Sequence, residues 1–519
     1  VETEGPVVVT ILSDVYKGRR ITLKQKDNYI KYLLLAFCII AIGIVTYVLF
    51  SYPNPGVADQ GDFDRVMAVS GLELTDQDKS NPDFKRFYDY TVTDYKISKM
   101  GVYQFLVRFV STTMAYLITI ISFICKLLGQ DSFKTGYLAV VYGAIYIFSM
   151  AIILKYINLK SKITLTALAL IGLVIFLDGN YLLWFNSLYG EPMMITTLML
   201  YMAAWLYYTY QSKTLKDEKK RLRAIIFLFI AAFLFLGSKM QVITAVPVMA
   251  VMLGKVLWES RRQLKGRTFV VLCFCYFLLL IYPIQINMVN GAISKDTQYN
   301  SVFYGVLKGS KTPEQDLIDL GLNPDMAVEA GKHAYLDSSE YVKYVPRTEI
   351  TEQEFYSKIS NGKLAKFYLT HPLRLIQGME YTAGKAFYTS TSLGKYSRSY
   401  SEEPIRQFNR FTLWSSFREG KLPKKLIFIV FICFSVLLVS IYTYVKNKKV
   451  DEIVEKLHLL WGIMFIGVLQ FPMPYVGNGE ADTAKQLYLF NFIFDIILVV
   501  SVCWCLDKLI LTISKKVNK

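Results

Sequence analysis

The sequence predicts an all-α, multi-pass membrane protein, and three observations carry that prediction. Of 519 residues, 53% are hydrophobic and only 19% charged, whereas soluble domains carry about 25% charged residues. The apolar residues are gathered in runs of about 18 to 25, long enough to cross a hydrocarbon layer ~30 Å thick. The short polar stretches between those runs are rich in Lys and Arg, as cytoplasmic loops are. An ordinary soluble enzyme, a disordered chain and a secreted disulfide scaffold are excluded.

The net charge of +17 would suggest nucleic acid in a soluble protein. Here the basic residues fall near 155–162, 212–223, 255–267, 446–449 and 515–519, where the positive-inside rule places them. The expected partner is therefore the lipid bilayer and not nucleic acid. The seven cysteines (Cys38, Cys125, Cys273, Cys275, Cys433, Cys503, Cys505) lie in or beside apolar runs, so no disulfide framework is expected in the polar loops. Residues two apart on a helix face different ways, which argues against metal binding by the two Cys-x-Cys pairs.

In chain order, residues 1–31 read as a cytoplasmic arm carrying Lys17, Arg19, Arg20, Lys24 and Lys26. The run 32–50 is too long for a signal-peptide core and reads as an uncleaved signal anchor. It opens an N-terminal transmembrane module, 32–287, that includes a first outer loop, 51–110. Further spans are expected at 112–128, 136–154, 163–180, 193–210, 224–238, 242–258, 269–287, 424–445, 459–475 and 487–511, ten to eleven in all. Orientation parity makes 103–128, with Arg108, Thr112, Thr113 and Lys126, a re-entrant or interfacial helix. Residues 288–423 form a second outer unit, too long for a simple connection. Within it, KTPEQDLIDLGLN reads as a short helix with Thr312 as cap, Pro313 first and Gly321 as the stop. The basic, aromatic part 363–423 is expected along the membrane surface, near lipid phosphates. Residues 424–519 supply the last spans and a short cytoplasmic tail.

The chemistry-bearing residues cluster at span ends. PNPGVADQGDFDRVMAVSGL places Asp59, Asp62 and Asp64 within six residues of each other. Gly61 precedes Asp62, and Phe63, Val66, Met67 and Val69 follow with an apolar helical spacing, so Asp62 begins a helix. A carboxylate there stays ionised and serves as a general base, as a cation ligand with its neighbours, or as an ordinary helix cap. FNSLYGEP puts Glu191 at the mouth of the next span, beside a turn signal. Lys239 lies between two short spans, either reaching to the interface or awaiting an anion. GNGEADTAKQLYLFN brings Glu480, Asp482 and Lys485 to the start of the last span, as a site or as a capping box with Asp482 as cap. Asp178 is expected at the membrane interface, and Asp495, within the last span, toward the protein interior. His333, His371 and His458 form no metal pattern, and phosphate-loop, HExxH and GxSxG motifs are absent from the sequence.

Taken in order, these motifs resemble the GT-C superfamily of integral membrane glycosyltransferases. ADQGDFDRVM, FNSLYGEP and GEADTAKQLYLFN resemble the bacterial WsfD-like glycan-biosynthesis hexosyltransferases, over nearly the whole chain from about residue 32. The resemblance implies transfer of a sugar from a polyprenyl-phosphate donor to a cell-wall or lipid-linked glycan acceptor, on the outer face of a bacterial plasma membrane. It implies a first-loop Asp as base, for which Asp62 is the best match and Asp59 and Asp64 the alternatives. Lys239, Lys485 and Arg65 are the implied donor-phosphate ligands, with Glu191, Glu480 and Asp482 contacting substrate. Phe63 stands where several branches of the superfamily have a second acidic residue. Some GT-C enzymes use a divalent cation, Mg or Mn, and others do not, so metal use stays open. The competing expectation is a transporter or flippase for a lipid-linked glycan, which should show internal repeats and polar groups at mid-membrane.

Overall fold

The computed structural model describes residues 6–59, 61–81, 88–98, 106, 109–215, 218–264, 266–289 and 295–517. It is mostly helical, 72%, as the apolar runs require. Among the described residues, seven helices are long and apolar enough to cross a membrane: Asp27–Phe50, Thr135–Tyr156, Met240–Ser260, Gly266–Met288, Leu426–Asn447, Asp451–Asn478 and Tyr488–Ile510. Lys162–Phe176 and Gly179–Asn186, bent by 55° where they meet, make an eighth if the pair is one span.

The ten to eleven expected spans thus contract to seven or eight, for identifiable reasons. Thr113–Leu127 has 15 residues, about 22 Å at 1.5 Å per residue, which is short of the hydrocarbon thickness. Arg108, which helped mark this region as re-entrant, lies outside the described residues. Glu218–Leu236 opens with EKKRLR, leaving too short an apolar remainder. Glu191–Thr209 is buried along nearly its whole length, and its Thr and Tyr residues dilute its apolar character. It packs against both Thr135–Tyr156 and Glu218–Leu236 and forms the centre of the bundle. The polar arm and the anchor are one continuous helix, Pro6–Phe50. All seven cysteines are free.

The first polar loop adds an element that the sequence reading lacked. Helix Phe63–Ser70 is followed by β1 (Leu72–Leu74), β2 (Asp94–Ile97) and β3 (Ser132–Lys134), an antiparallel sheet in the order β1-β2-β3. Leu72 faces Ile97 across β1–β2, and Tyr95 faces Phe133 across β2–β3. Tyr95 and Phe133 are fully buried, so the sheet fastens the loop to the helix that starts at Thr135. Strands of three or four residues carry too little alternation to be read from sequence.

Residues 295–370 have their own hydrophobic core, with Tyr299, Phe303, Leu317, Phe355 and Phe367 at its centre. Helix Pro313–Asp319 lies where the sequence puts it, and Gly321 takes a φ of 68° at its end. Thr312 occupies the cap position, but its side chain makes no capping bond. The following stretch is not simply a surface layer. Leu369, Leu373 and Ile376 are exposed, yet Arg418 on helix Leu413–Lys421 is fully buried and paired with Asp495.

Candidate functional site

The site begins with Asp59. Its Oδ1 accepts the backbone N–H groups of Asp62 at 2.8 Å and Phe63 at 3.2 Å. Asp59 therefore satisfies the exposed donors that open helix Phe63–Ser70. Asp62 occupies the cap position but makes no side-chain capping bond, so its carboxylate is available for other partners. Arg65, one helical turn later, donates to its Oδ1, and Lys485 Nζ lies 2.5 Å from its Oδ2.

Lys485 sits on the short helix Thr483–Gln486, directly before the last span. Its side chain is 11% exposed and its Nζ lies 4.6 Å from the centre of the Tyr189 ring. Tyr189 is itself fixed. Its hydroxyl donates to Ala58 O at 3.0 Å, and its ring packs edge-on against Phe63 and Trp184, at 4.8 and 5.0 Å between centroids. Two residues on, fully buried Glu191 begins helix Glu191–Thr209, and its Oε1 lies 2.5 Å from Lys239 Nζ. Glu191 Oε2 has no hydrogen-bond partner among the described residues. Between the two, Gly190 leaves room for the Lys239 stem, which passes 3.3 Å from where a Cβ would stand.

The charges act on one another. Burial works to raise the Asp62 carboxyl, but Lys485, Arg65 and Lys239 overcome it and hold Asp62 well below the usual carboxylate range. Burial opposes the Lys485 ammonium, and Asp62, Tyr189, Glu191 and Asp482 hold it well above its ordinary value. Burial pushes Asp59 up to about 6, against its two N–H donors. Two carboxyls three residues apart are therefore driven in opposite directions, a pattern associated with functional sites.

Of the residues singled out in the sequence, Asp59, Asp62, Arg65 and Lys485 meet directly, and Glu191 with Lys239 stands beside them. Asp64 is exposed on the far side of its helix. Glu480 turns away and pairs with Lys308. Asp482 is exposed, in a left-handed backbone conformation (φ 51°), and makes no side-chain cap, so the capping box is not formed. Asp178 is buried at the bend after Phe176, where its carboxylate accepts from Asn180 N and Ser415 N. Asp495 does face the interior, accepting from Tyr181, Trp414 and Arg418.

Sequence reasoning missed Tyr189 and Arg418. Tyr189 lies inside the FNSLYGEP motif, but a tyrosine carries no signal of its own. Arg418 lies in a segment whose basic residues suggested the lipid surface. Among the described residues, no group of three or more His, Cys, Asp and Glu is arranged for a metal ion. Both Asp62 oxygens face cations and Asp59 Oδ1 is held by backbone N–H groups, so this donor set does not fit a divalent cation.

Fold and site together define a multi-pass integral membrane protein with a charged cluster assembled where four of its connecting segments meet. Residues 19–519 match the family described as YfdI N-terminal transmembrane domain, and the chain belongs to that family. No curated protein and no solved structure matches it.

Proposed function

We propose that this protein is a GT-C membrane glycosyltransferase that moves a sugar from a polyprenyl-phosphate donor to a glycan acceptor on the outer face. The single observation behind this reading is the Asp62–Lys485 pair with Arg65, Lys239 and Glu191 around it. Transfer from a lipid phosphate needs cations where the leaving phosphate gathers charge, and a carboxylate within reach of the acceptor hydroxyl. The cluster contains both.

Without donor, Asp62 is the anion that Lys485 and Arg65 neutralise. An arriving phosphate competes for the same two cations, and as they turn to it Asp62 is released to take the acceptor proton. Glu191, fully buried and bonded through Oε1 to Lys239, holds that cation beside the cluster. The Tyr189 ring packs against the Lys485 ammonium and helps to position it. No step requires a metal.

The test is turnover of candidate polyprenyl-phosphate sugars by the purified protein, with Asp62→Asn beside wild type. Transfer or donor hydrolysis by wild type, lost in a folded Asp62→Asn that still binds donor, supports the reading. Equal turnover by both removes Asp62 as base and moves the role to Asp59. The alternative, a transporter or flippase for a lipid-linked glycan, draws on the bend at Asp178 and the buried Arg418–Asp495 pair, since broken helices and intramembrane charges mark transport paths. Asp178 is engaged through both oxygens and Asp495 through Oδ2 by three protein donors, which favours the enzyme. Movement of lipid-linked glycan between vesicle leaflets without any turnover would reverse that preference.

A further inference from the structure

A second polar site lies beside the first. The segment that carries Lys485 also carries Glu480, and Glu480 lines a cavity of about 180 Å³ with Lys308, Tyr368, Arg374, Tyr381 and Tyr475. Its walls come from the 295–370 core, from helix Pro372–Lys385 and from the turn after Met473–Asn478. The volume suits one six-membered ring, since a 150 Å³ cavity holds benzene. The lining combines aromatic rings with polar and charged side chains, the combination a ligand pocket uses to stack on a ring and orient it.

Two details select the ligand. The cavity's cations are already balanced: Lys308 pairs with Glu480, and Arg374 with Asp316. An anion would have to displace a carboxylate, whereas a neutral polyhydroxyl ring meets donors and acceptors already oriented. The second detail is Tyr368. It is 4% exposed, and its hydroxyl has no hydrogen-bond partner among the described residues. A buried hydroxyl left without a partner is costly, and Tyr368 is one of the residues lining the cavity, where a ligand hydroxyl would supply that partner.

The segment is anchored to this wall. Glu480 N donates to Tyr304 O at 3.2 Å, Tyr381 Oη to Glu480 O at 3.2 Å, and Tyr475 Oη to Gly305 O at 3.2 Å. A ring bound against Glu480 is therefore five residues along the chain from Lys485, the cation that holds Asp62.

We propose that this cavity binds one neutral pyranose ring. Its role as an acceptor subsite rests on the transferase reading, but the binding itself does not. The experiment is saturation-transfer NMR on the full chain in lipid nanodiscs. The probes are methyl glycosides of glucose, galactose, mannose and rhamnose, with methyl glucuronide as the anionic comparison. At least one neutral glycoside is expected to bind in preference to the glucuronide. Tyr368→Phe is expected to weaken it about three- to tenfold, the size of one hydrogen bond, with no loss of thermal stability because that hydroxyl supports nothing in the fold. Tyr475→Leu, which removes a ring from the wall, is expected to abolish it.

Binding of no neutral glycoside, preference for the glucuronide, or equal binding by Tyr368→Phe overturns the proposal. Donor turnover measured on the same preparations separates the two readings. Turnover without glycoside binding overturns the cavity alone. Glycoside binding without turnover of any donor leaves the cavity standing and counts against the transferase.

Discussion

Lys485 Nζ lies 2.5 Å from Asp62 Oδ2, although the two residues stand 423 positions apart in the chain. The pair joins the first polar loop to the start of the last span, so the charged cluster exists only when both ends of the bundle are assembled. Asp62 and Arg65 share one segment, but Glu191, Lys239 and Lys485 each reach them from a different part of the chain.

The pair makes a direct prediction about the reaction. Lys485→Met removes a cation from the proposed leaving phosphate and leaves Asp62 with Arg65 and the more distant Lys239. Loss of one such preorganised group costs about 10²- to 10³-fold in rate. Donor turnover by Lys485→Met is expected to fall in that range, with the protein still folded by thermal unfolding. A loss of less than tenfold would remove Lys485 from the site of charge development.

Asp59 predicts a pH dependence of stability. Burial raises its carboxyl to about 6, against about 3.9 in an unfolded chain. Between those values the folded chain keeps a proton that the unfolded chain releases, so stability falls as pH rises through that window. The shift corresponds to about 3 kcal/mol. Asn keeps a carbonyl oxygen to cap Phe63–Ser70 and carries no charge. Asp59→Asn is therefore expected to match or exceed wild type in Tm at pH 7.5, with the advantage gone below pH 4. A variant less stable than wild type at pH 7.5 would show that the ionised carboxylate is needed for folding.

Arg418 and Asp495 form a fully buried pair, with Arg418 also donating to Phe387 O and Thr389 Oγ1. Breaking such a pair from one side costs about 3–5 kcal/mol, because the remaining charge is stranded, while replacing both members is far less costly. Arg418→Met is expected to lower Tm sharply in detergent, and Arg418→Met with Asp495→Leu to recover most of the loss. Equal loss in the single and double variants would show that Arg418 contributes through Phe387 O and Thr389 Oγ1 and not through the charge pair.

The sequence exposed the parts of this protein that are written locally. Apolar runs are read by length alone, and the span ends and basic loops follow from them. Asp62, Glu191, Lys239 and Lys485 stood out because charged residues at span ends are uncommon enough to notice. What stayed hidden depends on contacts across the fold. Whether Asp59 or Asp62 caps Phe63–Ser70 turns on one residue of backbone geometry that spacing does not encode. Glu480 and Lys485 are five residues apart and looked like one group, but the turn at Gly479 sends them to different partners. The excess of expected spans arose because Thr113–Leu127 is short, Glu218–Leu236 opens with a charged turn and Glu191–Thr209 mixes Thr and Tyr with its apolar residues.

That turn supplies the last prediction. Gly479 has a φ of 59°, and a Cβ there would stand 2.4 Å from Asn300 O and 2.7 Å from Gly305 N. Both are backbone atoms, so no side-chain rotation relieves the collision, and the positive φ with ψ −135° is a backbone region that residues with a Cβ rarely adopt. Gly477, two residues earlier, has open space around it. Gly479→Ala should push the 478–487 segment off the 295–370 core and displace Lys485 from Asp62, so both Tm and donor turnover should fall. Gly477→Ala should leave both close to wild type. If the two substitutions behave alike in turnover, the site does not depend on how this segment is seated, and the geometric link between Glu480 and Lys485 has no functional weight.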